Sequence, residues 1–155
     1  MQMSLANIPQ EEWTAFKANV RQQVGQIIIP MDVNPGMVKA ILAQIDTLHT
    51  NIRMEYSDLE GKKEYLEILI REVERSSIEG SNELARKKAA TVAVQNYPGA
   101  NGQVVNLYDY QRRVLERYNF LKGILDVLFS KQNRLITVNG ILKLEQGTMP
   151  YDVQG

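Results

Sequence analysis

The fold is decided by residues 38–73, VKAILAQIDTLHTNIRMEYSDLEGKKEYLEILIREV, because apolar side chains recur there after three and then four residues. Only Glu55 and Lys62 interrupt this first seam with polar side chains. A seam with a period of 3.5 residues follows one face of a helix and needs a partner helix to cover it. The first seam therefore predicts a long helix with these apolar positions: Val38, Ile41, Ile45, Leu48, Ile52, Leu59, Leu66, Leu69 and Val73.

A second seam with the same spacing runs from Leu107 to Leu142, and Arg117 and Lys131 are its polar interruptions. The chain thus supplies two long helices whose seams can cover each other. We predict an all-α fold built on a long antiparallel helical hairpin with additional short helices.

Helix start and stop signals place the remaining elements. An amphipathic helix is predicted from Pro9 to about Ile29, stopped by Pro30. Asn34 before Pro35 predicts the start of the first long helix, because an N-cap side chain is followed by a preset φ. A break at 77–81, a short helix at 82–95 and a turn at 97–102 precede the second long helix, which begins near residue 106.

We expect a single helical domain over residues 1–155. Its parts are an N-terminal helix and turn at 1–33, a long helix with a break and a short helix at 34–96, and a long helix with a terminal segment at 103–147.

The segment 134–145 has two interpretations. Asn139-Gly140 between apolar, partly β-branched arms is a strong hairpin signal. The second seam also passes through the segment at Leu135, Val138 and Leu142, which favours a bent or second helix. Gly140 would cost a helix about 1 kcal/mol relative to alanine.

Composition narrows the class of protein. The chain has no cysteine, which excludes disulfides, thiolate metal sites and cysteine nucleophiles. No apolar run reaches the ~20 residues that span a bilayer, and the first residues do not resemble a secretory signal. We expect a soluble cytoplasmic protein without a membrane partner.

The zero net charge conceals a polarity along the chain. Residues 1–83 carry 8 basic and 13 acidic side chains, whereas residues 84–143 carry 10 basic and 3 acidic ones. Such asymmetry indicates a polyanion or an acidic protein surface as a partner, and a solvated helix face is the alternative. The basic half contains two groups that we take as candidate polyanion-binding residues: Arg86, Lys87 and Lys88, and Arg112 and Arg113.

Catalytic motifs are absent from the sequence, and we expect neither an enzyme nor a cofactor or metal site. The only histidine, His49, lies beside the first seam and is interpreted as a partly buried polar residue. Five tyrosines on the long helices can stack on bases, but most of them are better interpreted as edge residues of the core: Tyr56, Tyr65, Tyr108, Tyr110 and Tyr118.

The stretch 120–147, FLKGILDVLFSKQNRLITVNGILKLEQG, resembles the C-terminal part of the UvsY recombination mediators of tailed bacteriophages. The shared pattern is an aromatic residue, a glycine three later, an apolar-Leu-Asp triplet, a serine before a basic residue and an apolar-Glu-x-Gly ending. It falls here on Phe120, Gly123, Ile124-Leu125-Asp126, Ser130-Lys131 and Leu144-Glu145-Gln146-Gly147. Lys62-Lys63 resembles the lysine pair of the family's central helix.

The resemblance implies a ring-forming homo-oligomer that binds single-stranded DNA in the cytoplasm of a phage-infected bacterium. The resemblance also implies two protein partners, a RecA-type recombinase and the single-strand-binding protein. In this family the mediator helps the recombinase to displace the single-strand-binding protein. The family has a second basic pair where this chain has Glu67 and Leu69. The DNA-binding surface is therefore expected either at Lys62 and Lys63 or in the basic second half.

Six apolar residues near the end of the second seam are too dense for one exposed helix or hairpin, so we expect them to contribute to assembly: Leu135, Ile136, Val138, Ile141, Leu142 and Leu144. An alternative function from another class is a coiled-coil scaffold, such as a virion or adaptor subunit, that binds no nucleic acid. It explains both seams equally well but leaves the basic second half without a role.

Overall fold

The computed structural model describes residues 3–77 and 79–154, with side chains up to residue 147. The α-helices in this part of the chain are α1 (Gln10–Gln26), α2 (Pro35–Ser76), α3 (Glu83–Gln95) and α4 (Leu107–Gln154), and Ala100–Gly102 forms a short 3-10 helix. Two short strands, β1 (Tyr97–Pro98) and β2 (Val104–Val105), lie between α3 and α4.

The two long helices pack together in opposite directions, which confirms the predicted hairpin. The hydroxyl groups of Tyr56 and Tyr118 are hydrogen-bonded at 2.8 Å, and the Tyr108 hydroxyl donates to the Glu74 carboxylate at 2.9 Å. Later residues of α2 therefore lie beside earlier residues of α4, as in an antiparallel pair.

The predicted seams supply about half of the buried apolar residues. In α2 the buried seam residues are Ile41, Ile45, Leu48, Ile52, Leu59 and Leu66. In α4 they are Leu107, Val114, Arg117, Leu121, Ile124, Leu128 and Leu135. Burial of such side chains contributes about 1.5–3 kcal/mol each for the larger apolar residues, so the helix pair is held chiefly by these two stripes.

The chain forms two compact units. The first combines the N-terminal residues up to Asn7 with Glu55–Phe120, and therefore contains the second half of α2, α3, both strands and the start of α4. The second combines Ile8–Met54 with the chain from Leu121 onward, and contains α1, the first half of α2 and the rest of α4.

Asparagine side chains cap the N-termini of three of the helices. Asn34 Oδ1 accepts from the Met37 amide at 2.9 Å, and Asn82 Oδ1 accepts from the Ala85 amide at 2.8 Å. Asn106 accepts from the first amides of α4 in the same way. Each cap satisfies a donor that the first turn leaves unpaired, and the predicted starts of α2 and α3 are confirmed.

Helix α1 ends earlier than the sequence predicts. It stops at Gln26, and Ile27 is already extended, with φ −83° and ψ 93°. The ending is therefore three residues short of Ile29, and Pro30 is not the residue that stops the helix. Ile27 stays buried, and its carbonyl accepts from the Lys131 ammonium at 2.7 Å, so the chain leaves the helix to reach α4.

Segment 134–145 is helical, as a continuous part of α4, so its hairpin alternative is wrong. The apolar repeat through Leu135 keeps one face of the segment in the core of the second unit, and this outweighs the turn preference of Asn139-Gly140. A hairpin forms instead around Asn101-Gly102, where Tyr97 pairs with Val105 and both residues of the dipeptide have positive φ.

Replacing Gly140 by alanine tests this result. A Cβ at Gly140 or at Gly123 meets no atom within 4 Å, and both residues lie inside α4. We expect each substitution to raise the free energy of unfolding by up to about 1 kcal/mol, measured by urea unfolding at fixed protein concentration.

Gly80→Ala is the matched control for this series. Gly80 has φ +138°, and its added Cβ would lie 2.7 Å from the Ala85 Cβ, so this substitution is expected to lower the free energy of unfolding. A hairpin at 139–140 would require positive φ at Gly140, and a loss of stability there would contradict the helix.

Candidate nucleic-acid interface

A cleft in the first unit brings basic and tyrosine side chains together. It encloses about 520 Å³ and is lined by α2, by the β1–β2 hairpin, by the start of α4 and by Asn7. Of the described residues, no aspartate or glutamate lines it. We name it the cation–tyrosine cleft after its basic and aromatic members: Lys62, Tyr65, Tyr97, Tyr110 and Arg113.

Helical spacing explains the α2 side of the cleft. Lys62, Tyr65, Leu66 and Leu69 are separated by three, one and three residues, which places them on one face over two turns. Leu66 is buried and forms part of the floor, whereas Tyr65 is 64% exposed and lies at the mouth. The site therefore has an apolar base and an accessible aromatic ring.

The β1–β2 hairpin forms a second wall through Tyr97, Gly99 and Val105. The Gly99 amide donates to the Gln103 carbonyl at 2.7 Å. A Cβ on Gly99 would lie 2.8 Å from a methyl group of Val105 and 3.0 Å from that same carbonyl. A side chain at position 99 would force this wall apart, so glycine keeps Tyr97 in place.

Asp58, which does not line the cleft, forms an ion pair with Lys62 of the cleft. Lys62 Nζ donates to Asp58 Oδ1 at 2.8 Å, and the Ser4 hydroxyl donates to Asp58 Oδ2 at 2.6 Å. Burial opposes ionisation of Asp58, but these hydrogen bonds outweigh it and lower the pKa of the carboxyl group. The carboxylate therefore stays charged at neutral pH, while the Lys62 ammonium, which has three donors, retains capacity for a ligand.

Two further cations lie over tyrosine rings. The Arg113 guanidinium is 5.1 Å from the Tyr110 ring centroid, and Lys63 Nζ is 4.7 Å from that of Tyr118. These distances fit cation–π interactions, which contribute about 0.5–1 kcal/mol at exposed sites. Arg113 and Tyr110 both line the cleft, so this contact orients a cation within it.

The N-terminal segment, residues 4–7, contributes Asn7 to the lining of the site. The Tyr110 hydroxyl donates to Asn7 Oδ1 at 2.9 Å, and the Arg117 guanidinium donates to the Leu5 carbonyl. Arg117 is only 1% exposed. Its burial lowers the pKa of Arg117, and the neighbouring Arg113 charge lowers it further. A buried cation requires hydrogen-bond acceptors, and residues 4–7 supply one.

The structure brings together one member of each of two predicted basic pairs. Lys62 and Arg113 line the cleft, whereas Lys63 lies on Tyr118 and Arg112 pairs with Asp109 at 2.5 Å. The residues of the α3 run do not line it: Arg86 donates to the Gly80 carbonyl, Lys87 pairs with Glu83, and Lys88 is exposed.

The tyrosines separate into two groups. Tyr56 is buried and stacks on Tyr118 with a centroid distance of 4.8 Å, while Tyr108 is half-buried and bonded to Glu74. These three are edge residues of the core, as predicted. Tyr65 and Tyr110 belong instead to the cleft.

Sequence reasoning misses Asn7 and Tyr97 as members of the site. Neither lies on a seam or in a charged run, so no periodic signal marks them. The indirect signal is Arg117, because a basic residue at a seam position needs an acceptor from another part of the chain.

The six residues expected to contribute to assembly occupy different environments in the second unit. Leu135 is fully buried and is part of the core, while Val138 and Leu142 are half-buried. The other three, Ile136, Ile141 and Leu144, are exposed. Phe129, which is not one of these six residues, is 61% exposed and lies two turns before Ile136 on the same face of α4.

Other kinds of site find little support in the described residues. No group of three histidine or carboxylate side chains there can hold a metal ion, and none of the helices is both long and apolar enough to cross a membrane. His49 is exposed on α2 rather than partly buried, because it lies beyond the edge of the seam.

Comparison of the chain with models of protein families, with curated proteins and with solved structures finds no match. The resemblance to the UvsY mediators therefore stays a prediction from the sequence.

Arg117→Met tests how residues 4–7 are held. The substitution keeps much of the apolar volume but leaves the Leu5 carbonyl without its donor, which costs about 1–3 kcal/mol for a buried group. We expect the free energy of unfolding to fall by that amount and amide exchange at Ala6 and Asn7 to accelerate. Arg112→Met, on the exposed side of the same helix, should change stability by no more than about 0.5 kcal/mol. Equal effects of the two substitutions would contradict the anchoring role.

Proposed function

We propose that the protein binds single-stranded DNA as a homo-oligomer without base specificity, and that it acts as a recombination mediator. The observation that carries this proposal is that Lys62, Arg113 and three tyrosines line the same cleft. Among the described residues, no carboxylate lines that cleft. Lysine and arginine contact phosphates, and exposed aromatic rings stack on bases of any sequence.

Charge supports a binding surface that is modest in each chain and multiplied by assembly. The basic excess of residues 84–143 is offset by the rest of the chain, so repulsion between neighbouring copies is limited. Once one copy in an oligomer has bound a strand, the next copy binds the same strand intramolecularly. The overall affinity then rises although each copy makes the same contacts. A ring of several copies would use its clefts in this way.

The mediator role rests on the resemblance of residues 120–147 to the UvsY proteins. Such a protein holds single-stranded DNA while a RecA-type recombinase displaces single-strand-binding protein and loads. The role needs no catalytic residue, and the cleft offers binding chemistry only.

Charge reversal tests the proposed contacts. Lys62→Glu and Arg113→Glu should each weaken binding to a labelled poly-dT strand and reduce the salt slope of log affinity by about 0.7 or more, since each cation neutralises roughly one phosphate. Fluorescence anisotropy at 50 and 200 mM salt measures both quantities.

Arg112→Glu and Lys88→Glu are the matched controls, because they change the net charge equally outside the cleft. Their smaller effect on affinity would support the cleft. Equal weakening by all four substitutions would indicate long-range electrostatics rather than a site. No binding by the unaltered protein at 50 mM salt would refute the proposal.

Asp58→Asn should change affinity in the opposite direction. The substitution removes the charged partner of Lys62 and a negative charge near the cleft, so the ammonium becomes available to a phosphate. Exposed ion pairs contribute about 0.2–1 kcal/mol, which corresponds to a gain in affinity for poly-dT of roughly 1.4-fold to fivefold. Weaker binding than that of the unaltered protein would show that Asp58 positions Lys62 for the ligand.

A second candidate function is a scaffold that binds other proteins and no DNA. Exposed apolar side chains along the second half of α4, among them Phe129 and Ile136, favour it, since they suit contact with another helix. The scaffold predicts no salt-dependent retention of the protein on single-stranded DNA resin. The two functions are therefore separated by the same DNA titration.

A further inference from the structure

The cation–tyrosine cleft has the composition of a pocket rather than of a flat basic surface. Its volume of about 520 Å³ lies within the ~300–1,000 Å³ typical of small-molecule sites. Leu66 and Leu107 are buried at its floor, and Leu69 and Val105 are half-buried around them. Phosphate contacts alone need no such apolar floor, so the cleft fits a ligand with an apolar, flat part.

The polar groups of the cleft define the rest of the ligand. Lys62 and Arg113 are its cations, and the carboxylate nearest to Lys62, Asp58, lies outside the lining. Tyr65 is 64% exposed, so its ring is accessible to a stacking partner. A flat ring joined to a negatively charged group meets both requirements, and a nucleotide is the common ligand with that chemistry.

We propose that the cleft takes one unstacked base of a single-stranded DNA, with the base against Tyr65 and the leucine floor and the adjoining phosphate between Lys62 and Arg113. This assignment rests on the proposed function and adds that the protein distinguishes a strand with bases from a strand of phosphates alone. Paired bases remain stacked inside a duplex, so the cleft selects single strands by geometry.

The test compares two labelled strands of equal length and charge, one of thymidines and one of abasic sugar phosphates, by fluorescence anisotropy. Stacking of one base on an aromatic ring corresponds to roughly a fivefold to hundredfold gain in affinity. We expect the unaltered protein to prefer the thymidine strand by a factor in that range. Tyr65→Ala should abolish the preference by weakening thymidine binding while abasic binding stays unchanged.

Two variants control for folding and for general surface effects. Tyr65→Phe keeps the ring and should keep the preference. Ile68→Ala truncates another exposed apolar residue one turn further along α2, outside the cleft, and should also keep it.

Equal binding of both strands by the unaltered protein would overturn the base pocket and leave the proposed DNA binding intact. Binding of neither strand would refute the proposed function itself. Saturable binding of thymidine monophosphate without preference for the thymidine strand would assign the cleft to a free nucleotide and overturn the proposal. Loss of affinity for both strands in Tyr65→Ala, with Tyr65→Phe unchanged, would show that the ring acts without a base.

Discussion

The hydrogen bond from the buried Arg117 guanidinium to the Leu5 carbonyl is the constraint on which the first unit depends. Arg117 occupies a seam position in α4 that an apolar residue would otherwise fill. Because a cation cannot be buried against leucines alone, the long helices do not close that part of the core by themselves. Residues 4–7 complete it, and the same segment reaches Asp58 through Ser4 and Tyr110 through Asn7.

The second unit repeats this arrangement with a different cation. Lys131 is the other polar interruption of the α4 seam, and its ammonium donates to the Ile27 carbonyl just after α1 ends. Both interruptions therefore mark places where the chain before α2 docks by a main-chain carbonyl. In the first long helix, Lys62 does not follow this rule, because it bonds a side chain and lines the cleft. Polar residues in a helical seam thus separate into structural anchors and accessible groups.

The sequence predicts what repeats, and it fails where tertiary context decides. The 3.5-residue period locates α2 and α4, and the Asn34-Pro35 signal locates the start of α2. Two Asn-Gly pairs carry the same local turn signal, yet only Asn101-Gly102 forms a hairpin. Pro98 and Gly99 disfavour a helix around that pair, whereas seam residues surround Asn139-Gly140. For the cleft, charge and spacing indicate Lys62 and Arg113 but not that they share a site, since this depends on how α2 and α4 pair. Asn7 and Tyr97 come from non-periodic segments, and no local pattern marks them.

The attachment of residues 4–7 also has a consequence for the order of folding. The hydrogen bonds between Leu5 and Arg117 and between Asn7 and Tyr110 join residues that are 112 and 103 positions apart in the chain. Within each helix, by contrast, the backbone hydrogen bonds join residues four positions apart. Contacts between distant residues close long loops at a cost in chain entropy, and proteins richer in such contacts fold more slowly. During synthesis residues 4–7 leave the ribosome well before α4 does. Residues 4–7 can therefore reach their native position only after α4 has been made, and the cleft is complete only when they do.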